Sequence, residues 1–117
     1  MSPNKQAVER YMEAFDRLDH AAVLSLLTDD VEWVVPGMYA VRGKAAFDQH
    51  IENDAFVGRP GIAVSRLTEQ DDVVVAEGRA SPTRKDGTVL HLVFCDVFEM
   101  RGGRIRRLTS YLMEVRP

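Results

Sequence analysis

Cysteine is nearly absent from this chain. Cys95 is the only one, so no internal disulfide can form, which suits a reducing cytoplasm. Long apolar runs are missing as well. None reaches the roughly 18 residues of a membrane span, and the opening MSPNKQAVER lacks the layout of a signal peptide. These absences lead to the expectation of a cytoplasmic protein with no membrane partner. The three histidines, His20, His50 and His91, have no metal-ligand spacing, and there is no HExxH motif or cysteine pair. A glycine-rich phosphate loop and a G-x-S-x-G elbow are missing too. His91 and Cys95 share a strand face, but four residues of strand separate them by about 13 Å, beyond the reach a nucleophile and its base need. Charge of one sign is also scarce. Fifteen basic against eighteen acidic residues leave a net charge of -3, which argues against nucleic-acid binding, because that role needs a basic face across the domain. The one basic cluster, RGGRIRR at 101–107, contains Ile105 and precedes Leu108, so it reads as a solvated hairpin edge. The chain is therefore expected to use no metal, no nucleotide or other cofactor and no covalent nucleophile.

What is present describes one domain over residues 1–117. Hydrophobic residues at 45% and charged residues at 28% are ordinary for a globular protein with a real core. From Asn4 to Leu18 the apolar residues Ala7, Val8, Tyr11, Met12, Phe15 and Leu18 fall on one face of a helix. Asp19 can cap a second helix carrying Ala22, Val23, Leu26 and Leu27. VEWVV at 31–35 reads as a short strand, stopped by Pro36 and Gly37 and followed by a loop to Arg42. A third helix from Gly43 turns Ala46, Phe47, His50 and Ile51 to one side. After VGRPG at 57–61 the period changes to two, with strands through Ile62–Thr68, Val73–Ala80, Val89–Met100 and Ile105–Val115. The pattern predicts an α+β domain, three N-terminal helices packed on a mainly antiparallel sheet.

Within LVFCDVFEM, residues 92–100, a carboxylate interrupts an otherwise apolar strand. Leu92, Phe94, Asp96, Phe98 and Met100 face one way, and Val93, Cys95, Val97 and Glu99 the other. Burying an unpaired charge costs several kcal/mol, so Asp96 is expected to be paired, hydrogen-bonded or protonated. Both strand faces are largely apolar, yet the helices can cover only one. The second face calls for a partner, and a like sheet from a second copy is the simplest, which gives an expected homodimer through the outer sheet face.

RYMEAF in the first helix, LLTDDVEWVVPG at the first strand, RGKAAF at the third helix and DVFEMRGGRIRRLTSYL near the end carry a resemblance over most of the chain. It is to the SnoaL-like and ketosteroid-isomerase-like branch of the nuclear transport factor 2 superfamily. That resemblance implies a cone-shaped roll, a strongly curved sheet around the helices, with an apolar pocket for a small organic ligand. The fold hosts isomerases, cyclases, epoxide hydrolases and non-enzymatic binders, so function rests on the site. By resemblance, Tyr11 falls at the oxyanion tyrosine of ketosteroid isomerase and Asp96 at its oxyanion aspartic acid, a carboxyl kept neutral by its apolar surroundings so that it donates a hydrogen bond. These two are the candidate catalytic residues, at an oxyanion site or at an acid/base site in which Asp96 is ionised and acts as the base itself, as the resemblance to cyclase-type relatives implies. Trp33 stands where the isomerase has its catalytic aspartate, which removes the base of that route. The Asp-Arg-Asp set of the epoxide hydrolases is incomplete, with Ser110 before Tyr111 and only Glu77 and Arg79 as a carboxylate–guanidinium pair. Trp33, His50, Phe94, Ser110 and Leu112 are the candidate ligand contacts. Glu77 could enter the pocket, whereas Glu32 should point away from it. Two functions follow as expectations: an isomerase- or cyclase-type enzyme acting next to a carbonyl, or a binder of a small apolar ligand with no chemistry.

Overall fold

The computed structural model describes residues 1–116. Helix α1 (Pro3–Asp16) opens on Ser2, whose Oγ accepts from the Lys5 amide at 3.1 Å, and Pro3 supplies a preset first turn. It buries Ala7, Val8, Tyr11 and Met12. Asp19 caps α2 (His20–Ser25) through the Ala22 amide. This helix is shorter than its apolar spacing suggests. Leu27, expected on the helix, begins strand β1 (Leu27–Val35), where it is fully buried. Pairing with the chain's last strand extends β1 beyond the 31–35 seen in the sequence, a tertiary effect that local periodicity does not carry. The loop expected to Arg42 contains strand β2 (Tyr39–Arg42), antiparallel to β1. Helix α3 (Lys44–Gln49) starts after Gly43, which sits at φ +87.

Strand β3 (Phe56–Val57) pairs with β6 (Thr83–Arg84) in a two-stranded flap apart from the main sheet. The main sheet adds β4 (Ala63–Gln70), β5 (Val73–Ala80), β7 (Leu92–Arg101) and β8 (Arg104–Glu114). Its order is β2-β1-β8-β7-β5-β4, antiparallel throughout except where β1 runs parallel to β8. Residues 89–91, expected in a strand, precede β7, and Val89 makes only an isolated bridge to Thr83. Irregular register in β4, in β1 and between Glu99 and Met100 bends the sheet around the helices.

The concave face holds the core. Val31, Trp33 and Val35 of β1, Val74 and Ala76 of β5, Phe94 and Phe98 of β7, and Leu108 of β8 pack against α1 and against Phe47 of α3. Charged pairs occupy much of the convex face: Glu32–Arg107 at 3.0 Å, Glu99–Arg106 at 2.6 Å and Asp30–Arg101 at 2.5 Å. The basic cluster at 101–107 thus meets the protein's own carboxylates. Among the described residues no helix is long and apolar enough to cross a membrane.

Candidate functional site

Between the concave face and the helices lies a mostly apolar cavity of about 460 Å³. Tyr11, Trp33, His50, Phe94, Asp96, Ser110 and Leu112 all line it. Each arrives by its element's own period. Tyr11 comes from the buried stripe of α1, Trp33 from the inward phase of β1, and Phe94 and Asp96 from that of β7. Leu112 lies at the open end and is 45% exposed, so it forms rim rather than floor.

Asp96 is the buried acid of this cavity. Its strand neighbours are Ala76 on β5 and Ser110 on β8, both small, which leaves room above the carboxyl. Its Oδ1 is buried with no hydrogen-bond partner among the described residues. Burial pushes its pKa up to about 7, with the Ser110 hydroxyl opposing the rise. The group is therefore protonated for much of the time near neutral pH, and it is a donor as well as an acceptor.

The groups around it are also donors. Tyr11 is buried, and burial first, then the Asp96 and Tyr39 charges, hold its phenol well above the usual range. It keeps its proton. Trp33 stacks on Phe47 with ring centroids 4.5 Å apart, and its Nε1 donates to Ser110 Oγ at 3.1 Å. Trp33 is thus a wall of the cavity and a clamp on the serine beside Asp96.

His50 closes α3 at the cavity wall. Its Nδ1 lies 2.9 Å from the Ala46 carbonyl oxygen, which can only accept, so Nδ1 carries the proton and Nε2 the lone pair in the neutral ring. Tyr39 packs on this ring with centroids 4.5 Å apart and on Trp33 at 5.6 Å. Burial, then the Asp96 charge, pushes the Tyr39 phenol up to about 12. Tyr39 belongs to the site and was missed in the sequence, because β2 is only four residues long. The signal was present in YAVR, where Tyr39 and Val41 alternate with Ala40 and Arg42.

Glu77 does not enter the cavity. Gly78 takes the inward phase of β5, and Glu77 turns to the convex side, where Arg66 Nε donates to it at 2.6 Å. The carboxylate–guanidinium pair that an epoxide hydrolase would need is therefore outside the pocket. Glu32 points outward to Arg107, as its phase implied. The Cys95 thiol is pushed up by burial and by the nearby Glu77 and Asp96 charges, so it is not activated.

A curved sheet wrapped on short helices, with one buried acid facing the apolar hollow, defines a protein of the nuclear transport factor 2-like class. Residues 8–108 match the SnoaL-like domain, and the chain belongs to that family. No curated protein matches it. Among solved structures, TerC co-crystallised with polyporic acid is 29% identical, with a TM-score of 0.83 over 93% of this chain and 90% of that one. A candidate polyketide cyclase from Xanthomonas campestris pv. campestris is 27% identical, with a TM-score of 0.85 over 93% and 89% of the two chains. A nuclear transport factor 2-like protein of unknown function from Burkholderia pseudomallei is 26% identical, with a TM-score of 0.85 over 97% and 92%.

Proposed function

We propose that this protein is a cofactor-independent isomerase or cyclase that acts next to a carbonyl group of a small, mostly apolar ligand. The observation that carries this reading is the buried Asp96 oxygen at an apolar cavity, without a partner among the described residues, on a carboxyl whose pKa burial raises to about 7. Tyr11 and Asp96 donate to the ligand oxygen as it gains charge in an enolate. Donors aimed in advance at a developing oxyanion are typically worth about 3 kcal/mol each, because they need no reorganisation during reaction. The similarity to a candidate polyketide cyclase and to a protein crystallised with polyporic acid supports this class of ligand.

Substituted phenols test the reading, because a phenolate imitates the charged oxygen. Affinity should rise as the phenol becomes more acidic. Tyr11→Phe and Asp96→Leu should each weaken the most acidic members by about tenfold or more, as expected for a hydrogen bond to a charged group. Affinity that follows ligand hydrophobicity alone, unchanged in both variants, would leave the second reading, a passive binder. Trp33 favours that alternative, since it supplies no carboxylate from β1.

We also propose a second copy of the chain as the partner of the convex face. Val93, Cys95 and Val97 of β7 adjoin Thr109, Tyr111 and Met113 of β8 there. Tyr111 and Met113 are 53% and 66% exposed.

A further inference from the structure

An enolate site needs an acceptor for the carbon-bound proton, and β1 turns only Trp33 and Val35 into the cavity. Six titratable side chains line the cavity: Tyr11, Tyr39, His50, Glu52, Asp96 and Glu114. The two phenols are held protonated. Glu52 is engaged by His20 Nε2 at 2.5 Å, and Glu114 is exposed at the end of β8. Asp96 is assigned to the ligand oxygen. His50 is left, and its geometry suits the task. Ala46 O holds Nδ1–H from the helix side, Tyr39 covers the ring, and the lone pair sits on the nitrogen at the ring's other end.

We infer that His50 is the proton acceptor of this site, with its reactive tautomer selected by the last turn of α3. The inference rests on the oxyanion reading of Tyr11 and Asp96. In the step it describes, the C–H bond next to the ligand carbonyl breaks and the proton passes to His50 Nε2. The electron pair of that bond forms the new carbon–carbon double bond. The carbonyl π electrons move to oxygen, which accepts hydrogen bonds from Tyr11 and protonated Asp96. Return of a proton from Nε2, the one abstracted or one exchanged with solvent there, to a different carbon gives the isomer and neutral His50. Nothing is oxidised or reduced, and no co-reactant is needed.

The probe is cyclohex-3-enone in D₂O, followed by NMR for exchange of its α-hydrogens and migration of its double bond. General-base catalysis contributes about 10²–10⁴-fold. His50→Gln should therefore lose at least ~100-fold of the exchange and migration rates, while phenol affinity should still rise with phenol acidity. Added imidazole should restore part of the rate in His50→Ala, a rescue that a merely structural histidine does not show. Nitrogen-15 NMR of the wild type should find the neutral ring protonated at Nδ1. Full activity in His50→Gln, or a ring protonated at Nε2, overturns the assignment. So does a wild type that neither exchanges the α-hydrogens nor moves the double bond faster than buffer. In that case phenol binding separates the two failures: retained dependence on Tyr11 and Asp96 leaves the oxyanion site standing, and its loss removes both.

Discussion

Asp96 holds its proton for a reason that also acts on stability. In the unfolded chain the carboxyl ionises near 3.8, and in the native protein near 7. Between those values the folded state binds the extra proton, so native stability falls as pH rises from about 4 to about 7 and then levels off. A gap of that size corresponds to a few kcal/mol, on the order of 4 at most. Asp96→Asn removes the titration and keeps the shape. Urea unfolding at pH 4.5 and pH 8 (roughly the two ends of the window) should show the variant gaining on the wild type at the higher pH. A difference that does not change with pH would mean that the carboxyl is solvated in the native state. The side chain's inward placement was legible from the sequence, since the two-residue period of LVFCDVFEM left it no other face. Its company was less so. Trp33 bonded to Ser110 lies 77 positions away along the chain, and no local pattern encodes that pairing.

Among the elements, those with a long period of their own were legible. The stripe of α1 and the alternation of β5 and β7 stand in the sequence much as they stand in the sheet. Elements made by contact were not. Leu27 joins β1 because Ile105 is its partner, Tyr39 joins the site because β2 pairs with β1, and the β3–β6 flap consists of four residues brought together from two loops. Glu77 misled because alternation identifies two faces without saying which is inward; Gly78 decides it. A β-carbon on Gly78 would lie 2.3 Å from Ala63 O of β4 and 2.7 Å from the Phe94 ring. The glycine therefore lets the ring lie flat across β5 as cavity wall. Gly78→Ala should cost about 1–3 kcal/mol, since a backbone atom must shift, and should push Phe94 into the hollow. Urea unfolding checks the first effect and phenol titration the second. Wild-type affinity in a folded Gly78→Ala protein would show that Phe94 does not shape the cavity.

For the molecule as a whole, the proposed second copy covers an apolar strip bordered by charges that are already matched within the chain, such as Arg66 with Glu77 and Arg106 with Glu99. Matched borders leave the apolar centre to drive contact. Val93→Glu or Val97→Lys places an unpaired charge in that centre, which a buried interface tolerates poorly. Sedimentation should therefore find a wild-type dimer and a folded monomer for either variant. A wild type that stays monomeric at micromolar concentration (roughly where a modest interface begins to hold) would refute the dimer.

The strand order has a kinetic consequence. Among the described residues β8 comes last of the strands, yet it lies between β1 and β7 and is the only link between the β2-β1 pair and the rest of the sheet. While the chain is being synthesised, β1 has no neighbour but β2, and the hollow has no floor under Trp33. β8 must find a partner 75 to 78 residues upstream, a long loop closure of the kind that slows folding. Until then the edges of β1 and β7 that β8 will cover stay open, so the nascent protein is most exposed to aggregation just before β8 is made.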